Sequence, residues 1–214
     1  MTSRPIIAVV IPCFNEEAAL PITVKQLFGV IDGMCENGLI SRDSYLLCCN
    51  DGSTDRTWQV IQQLHSENKR GHQYALLAGL MAVRGHCDAA ISIDADLQDD
   101  INAIPEMIKK YLQGYEIVYG VRASRATDSW FKRTTARAFY SLQKKMGLDT
   151  IYDHADYRLM SNRALDALSE YGESNLFLRG IIPQIGLSTA IVTYDRHERV
   201  AGESKYPLKK MLSF

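Results

Sequence analysis

Two carboxylates and a carboxamide stand at alternate positions in Asp94-Ala95-Asp96-Leu97-Gln98, directly after the apolar run 89–93. In an extended backbone residues i, i+2 and i+4 share a face, so this spacing predicts that the three oxygen-bearing side chains converge on one small volume. An all-oxygen set of this kind suits a hard divalent cation such as Mg²⁺, Mn²⁺ or Ca²⁺. With so few protein ligands, coordination positions stay open for the oxygens of a diphosphate. Taken alone, an Asp-x-Asp pattern is more often a solvated strand end or a helix cap, and its meaning depends on what surrounds it.

What surrounds it is an alternation of short apolar runs and amphipathic stretches, the pattern of a mainly parallel sheet covered by helices on both faces. Strands are expected over 6–11, 45–49, 89–93 and 116–121, with further short ones over 157–160 and 189–194. Helices are expected over 17–35, 54–66, 74–84, 103–113, 129–146 and 162–171, with Gly38, Gly85 and Gly114 as stops. The 214 residues, 24.1 kDa and 46% hydrophobic, suffice for one domain with a substantial core and leave little room for a second. Ligands of such sheets bind at the carboxyl ends of the strands, and polar motifs stand at those points. Pro12-Cys13-Phe14-Asn15-Glu16-Glu17 follows the first strand, Asn50-Asp51-Gly52-Ser53-Thr54-Asp55 the second, and Asp94-Ala95-Asp96 the run 89–93. Asp51-Gly52-Ser53 by itself reads equally as a turn with a helix-capping hydroxyl or as a pocket wall. The first loop lacks both Gly-x-Gly-x-x-Gly and Gly-x-x-x-x-Gly-Lys-Ser/Thr, which disfavours a dinucleotide dehydrogenase and a phosphate-binding-loop NTPase.

Charge and cysteine content narrow the class further. With 24 basic and 25 acidic residues the net charge is −1, against a nucleic-acid partner bound through bulk positive charge. The 5 cysteines, without a Cys-x-x-Cys pair and mostly in apolar surroundings, read as reduced core residues of a cytosolic domain. The N-terminal apolar segment is broken at Pro12 and Asn15, too short for a signal peptide core, and no uncharged run approaches the ~18 residues of a membrane span. Basic residues gather in two places, Arg122, Arg125, Lys132, Arg133 and Arg137, and Arg196, Arg199, Lys205, Lys209 and Lys210, where guanidinium forks suit a phosphate. Each of these taken singly is more often a solvated surface residue.

In order and interval, the three loop motifs resemble those of the inverting family-2 glycosyltransferases of GT-A fold, a Rossmann-like α/β architecture. More narrowly they resemble the polyprenyl-phosphate glycosyltransferases, the group of dolichyl-phosphate-mannose synthase and the bactoprenol glucosyltransferases. The likeness continues through Ala78-Gly79-Leu80, Val118-Tyr119-Gly120-Val121-Arg122, Ala155-Asp156-Tyr157-Arg158 and Gly202-Glu203-Ser204-Lys205-Tyr206, and so spans nearly the whole chain. It implies metal-dependent inverting transfer of a hexose from a nucleotide-diphosphate sugar, with a UDP-sugar favoured, to a polyprenyl phosphate for cell-envelope glycan modification. By the same resemblance Pro12, Asn15, Glu16, Asp51 and Arg70 would line the nucleotide pocket. Asp94, Asp96 and Gln98 would hold Mg²⁺ or Mn²⁺ and the diphosphate. Asn50-Asp51 stands where many relatives have two acids, which leaves open which side chain meets the base.

Arg122 and Arg133, then Arg199 and Lys205, are the acceptor-phosphate candidates. Asp156 occupies a position often considered for a base, with pairing to Arg158 the alternative. A phosphate monoester, with a second pKa near ~6, is mostly dianionic at neutral pH and needs no dedicated base to attack. Trp130, Phe131, Phe139 and Tyr140 interleave with Lys132, Arg133 and Arg137 as a membrane-surface helix requires, or pack onto the sheet. Bacterial relatives continue into membrane helices, so the expected layout is a catalytic domain over 1–206 and the start of a juxtamembrane segment over 207–214, at the cytoplasmic face of a bacterial membrane. Oligomeric state stays open, a homo-oligomer included. A transferase with a soluble or glycan acceptor and a non-catalytic sugar-nucleotide-binding module are the competing readings. An aspartate-dependent phosphatase is disfavoured because its Asp-x-Asp follows the first strand and lacks a glutamine at the fifth position.

Overall fold

The centre of the sheet is an unbroken apolar run. β1 (Ile7–Cys13) is rich in β-branched residues, which favour extended backbone, and all of it except Pro12 is buried. Burial on both faces requires such a continuous run: Ile7, Val9 and Ile11 enter one core layer, Ala8 and Val10 the other. The computed structural model describes residues 3–68, 76–123, 154–171 and 178–200.

The sheet has six strands: β1, β2 (Tyr45–Asn50), β3 (Ala89–Ser92), β4 (Ile117–Arg122), β5 (His154–Ser161) and β6 (Thr189–Tyr194), in the order β2-β1-β3-β5-β4-β6. β5 runs antiparallel to both β3 and β4, and the other pairings are parallel. On one face lie α1 (Leu20–Glu36) and α4 (Ile104–Leu112), with Ile61 of α2 (Thr57–Asn68). On the other lie α3 (Leu76–Val83), α5 (Asn162–Ser169) and the turn at Ile182 that follows α6 (Leu178–Ile181). This is the expected α/β architecture, a mainly parallel sheet flanked by helices. No disulfide links the five cysteines, all of which lie among the described residues.

Several details depart from the sequence reading, among them α2, which begins at Thr57 instead of 54. β5 is longer than the expected 157–160, because its first residues include the polar His154 and Asp156, which break the apolar pattern. α1 begins at Leu20 instead of 17, since Glu16 closes a turn by accepting the N–H groups of Ala19 and Leu20. β3 stops at Ser92, one residue early. The helix stops are where they were expected: Gly38, Gly85 and Gly114 have φ of 71°, 77° and 96°, a region glycine enters without steric cost. The helix expected over 129–146 lies outside the described residues.

Register decides where a ligand can enter. β1 and β2 end level, Cys13 opposite Asn50, whereas β3 ends with Ser92 opposite Val10. β1 therefore runs on past the end of its neighbour, and Pro12, which has no N–H to give, falls where β3 has already stopped. Gly120 is required for a different reason. A Cβ there would stand 2.8 Å from Met107 Cε, 2.8 Å from Tyr157 Cδ1 and 3.0 Å from the Tyr157 carbonyl, between α4 and β5. G120A is expected to lower unfolding free energy by about 1–3 kcal/mol, measured by urea titration, because the backbone oxygen cannot move aside.

Candidate active site

The parallel strands β1, β2 and β3 deliver their C-terminal loops to one edge of the sheet. The first two loops are laced together. Asn15, at φ 53°, uses its carboxamide oxygen to accept the Thr54 N–H at 2.8 Å, and its own N–H donates to Ser53 Oγ at 3.0 Å. The Glu16 N–H donates to Thr57 Oγ1 at 2.7 Å and the Glu17 N–H to Asp55 Oδ2 at 3.2 Å. Asp55 also receives the Thr57 N–H at 2.9 Å, so it is Asp55 that serves the start of α2, and the capping hydroxyl expected at Ser53 instead tethers the first loop. Burial pushes the Asp55 carboxyl up, but the bonds from Thr57 and Glu17 outweigh it and hold the pKa below the ordinary value. Of the residues expected at a nucleotide, Pro12 is half-buried, Glu16 is buried, and Asp51 is exposed at the rim, its N–H donating to the Cys13 carbonyl at 2.8 Å. Arg70 lies outside the described residues.

The acidic loop after β3 is not extended, which corrects the geometry expected from its spacing. The chain turns at 95–96, and Leu97, buried at 5% exposure, adopts φ 55°. A left-handed non-glycine residue costs roughly 1–2 kcal/mol, and the loop supplies compensating contacts. Thr23 of α1 donates its hydroxyl to the Ala95 carbonyl, and Asp96 Oδ1 accepts the Gln98 N–H at 3.1 Å. Asp96 is buried at 6% exposure and its Oδ2 lies 2.9 Å from Arg199 Nη2. The Gln98 carboxamide oxygen accepts from Arg196.

Beside this turn lies a pairing that the sequence reading did not assign. Asp99, 2% exposed, accepts Arg122 Nη2 at 3.0 Å, Arg122 Nε at 3.3 Å and the Tyr194 hydroxyl at 2.6 Å. Arg122 is thereby held at the end of β4, and although desolvation opposes its charge, Asp99 and Tyr194 raise its pKa further. Asp156 precedes by two residues Arg158, which pairs with Ser92, so its carboxylate reaches the same edge. It is bonded there to the buried Arg158 guanidinium, and its carbonyl accepts from Ser92 Oγ. Arg133 and Lys205 lie outside the described residues. Asp99 was visible in the motif, and Arg196 in a basic cluster. Only the fold shows that Asp99 is met by Arg122 and Tyr194, and Gln98 by Arg196.

Asp94, next to the turn, is exposed. Desolvation by the surrounding protein comes first, then the charges of Asp99, Asp96 and Asp156, and together they raise its carboxyl to about 6 against the opposing charge of Arg122. A gathering of carboxylates that repel one another is relieved by a cation, and oxygen donors are the set a hard divalent ion prefers. Among the described residues no three His, Cys, Asp or Glu side chains converge to cage an ion. The oxygen donors of this turn are the side chains of Asp94, Asp96 and Gln98, the last two in contact with Arg199 and Arg196.

A mostly parallel six-stranded sheet with one inserted antiparallel strand, opening at an acidic loop after β3, is a fold of the GT-A type. The chain belongs to glycosyl transferase family 2, which it matches over residues 8–169. It is 54% identical over 222 residues, 99% of this chain and 66% of the other, to YkoT of Bacillus subtilis (strain 168), described as an uncharacterized glycosyltransferase. It is 37% identical over 211 residues, 94% of this chain and 66% of the other, to a prophage bactoprenol glucosyl transferase homolog of Escherichia coli (strain K12). The chain thus spans just under two thirds of these relatives' length. In fold it resembles glucosyl-3-phosphoglycerate synthase of Mycobacterium tuberculosis in complex with Mn²⁺, UDP-glucose and phosphoglyceric acid. That match has a TM-score of 0.55 at 17% identity and covers 97% of this chain and 74% of that one.

Two outcomes are expected from these pairings. Y194F removes a hydroxyl donated to a buried carboxylate and is expected to cost about 1.5–3 kcal/mol in urea unfolding, whereas D99A, which strands Arg122, costs about 3–5 kcal/mol. Because the folded pKa of Asp55 lies below its unfolded value of ~3.9, its contribution is full above that value and is lost as pH falls through the folded pKa. Melting temperatures of D55N against the unsubstituted protein are expected to converge as the pH is lowered through that window.

Proposed function

We propose that this domain transfers a hexose from a UDP-sugar to a polyprenyl phosphate, with inversion and with Mg²⁺ or Mn²⁺ as cofactor. The observation that carries the reading is the acidic turn bearing Asp94 and Asp96 at the end of β3, on the sheet edge to which β1 and β2 also deliver their loops, in a family-2 domain. The relative named for bactoprenol glucosyl transfer supports a polyprenyl phosphate acceptor, and the fold neighbour holding Mn²⁺ and UDP-glucose supports the donor and the metal. Asp94, Asp96 and Gln98 would hold the metal, which would supply neutralisation of the charge that develops on the departing diphosphate.

The protein's own groups do the rest. Asp51 at the rim, with Pro12, Asn15 and Glu16 behind it, forms the wall offered to the nucleotide, and the lacing of Asn15 to Thr54 keeps that wall rigid. Arg122 and Arg199, 26% and 24% exposed at the side chain, present positive charge beside the carboxylates for phosphate oxygens. Asp156, held by Arg158, serves to orient, since a phosphate dianion attacks without surrendering a proton. Arg70 at the nucleotide, and Arg133 and Lys205 at the acceptor, complete the proposal from the sequence. Among the described residues no helix is long and apolar enough to cross a membrane. Our reading places the domain, 1–206, at the cytoplasmic face of a bacterial membrane, with 207–214 leading toward the bilayer.

The test is product analysis. Purified protein incubated with Mn²⁺, UDP-glucose and either undecaprenyl phosphate or simple sugars is expected to yield a sugar-linked lipid and no free disaccharide. Hydrolysis alone, or transfer only to soluble sugars, counts against the acceptor. A thermal-shift series of UDP- and GDP-sugars with and without Mn²⁺ is expected to show a metal-dependent rise for one donor, of about 2.7 kcal/mol in stability at 100-fold over Kd. D96N is expected to abolish the metal dependence.

A further inference from the structure

Residues 194–200 cross the acidic turn as a strap. In sequence along it, Tyr194 bonds Asp99 at 2.6 Å, Arg196 bonds the Gln98 carboxamide oxygen, the His197 N–H donates to the Gln98 carbonyl at 2.9 Å, and Arg199 meets Asp96 at 2.9 Å. The Val200 N–H reaches the Asp96 carbonyl at 3.4 Å. The strap thus runs antiparallel to residues 96–99, and the antiparallel course places its two guanidinium groups on the side-chain oxygens of Asp96 and Gln98. Those are the oxygens that the preceding reading gives to the cation, and the inference rests on that reading.

A guanidinium 2.9 Å from Asp96 Oδ2 and a divalent cation on the same carboxylate repel one another, so tight occupation by one disfavours the other. The diphosphate that accompanies the cation offers a guanidinium a better partner, because its oxygens match the fork in pairs. A crevice of about 430 Å³ adjoins the strap, lined by Leu97, Asp100, His197 and Val200 and by α1. Arg199 itself is 24% exposed, and Val200 is 46% exposed.

We propose that Arg199, assisted by Arg196, is an exchangeable counter-ion of the cation-binding oxygens: it holds Asp96 while the site awaits its ligands and transfers to the diphosphate when cation and donor arrive together. The exchange makes the site select the metal–diphosphate complex over the metal alone. It also gives the strap a role as a positioning element, distinct from binding the acceptor.

The exchange is tested by direct binding. Calorimetric titration of the purified protein with MnCl₂ alone is expected to show R199Q binding Mn²⁺ about tenfold more tightly than the unsubstituted protein. UDP titrated at saturating Mn²⁺ is expected to bind R199Q about tenfold more weakly. R199K, which keeps the charge and loses the fork, is expected to retain the original Mn²⁺ affinity and to bind UDP more weakly, and it serves if R199Q does not fold. Mn²⁺ binding by a folded R199Q that is unchanged or weaker, or UDP binding by R199K that is unchanged, overturns the exchange. D96N separates the two levels. If D96N has lost Mn²⁺ while R199Q behaves like the unsubstituted protein, the cation assignment survives and the exchange fails. If D96N binds Mn²⁺ undiminished, the cation assignment itself fails and the exchange with it.

Discussion

Crowded negative charge at the end of β3 is the constraint that organises this protein's working edge. Desolvation first, and then the charges of Asp99, Asp96 and Asp156, raise the Asp94 carboxyl to about 6. The fold answers with arginines drawn from three separate places: Arg122 from the end of β4, Arg158 from β5 and Arg199 from the segment after β6. Each pair combines a carboxylate from one part of the chain with a guanidinium that only folding brings near, except Asp156–Arg158, which shares a strand. The charge of Arg122 opposes the upward shift of Asp94.

The scaffold makes this arrangement possible through its register. β3 is short and ends opposite Val10, so the chain turns out of the sheet while β1 and β2 continue. The turn then leans on α1 through Thr23 and on the strap through Gln98 and Asp96. Tyr194 and Tyr157, ring centroids 5.2 Å apart in an edge-to-face contact, stand behind it and connect β6 to β5. Loss of packing at Gly120, in the strand between them, would therefore be felt at the acidic turn as well as in the core.

The chemistry that family membership implies draws on both halves of this edge. The loops of β1 and β2 are rigid because their polar groups are satisfied by one another, and the acidic turn is held by contacts that a charged ligand competes for. The proposed nucleotide wall beside the proposed exchangeable ionic contact is a sensible division for a transferase. The wall lowers the ordering cost of binding, and the ionic contact reserves part of the binding interaction for the correctly charged donor.

The alternation of apolar and amphipathic segments by itself determined the α/β class, all six strands, and the glycine stops at Gly38, Gly85 and Gly114, because backbone period and left-handed turns are written in local residue types. Motif order likewise carried the family, and Asp94, Asp96, Gln98 and Asp156 were legible as candidates. Local pattern could not show that Leu97 bends the acidic segment out of the extended form, since a buried leucine at positive φ is set by its neighbours and has no signature of its own. Nor could it show that β5 inserts antiparallel between β3 and β4, or that Asp99 belongs to Arg122 and Tyr194. The pairing of Asp96 with Arg199 links positions far apart in the chain. Charge pairing is a matter of distance in space, and only the tertiary structure decided which of the many acids and bases come within reach of one another.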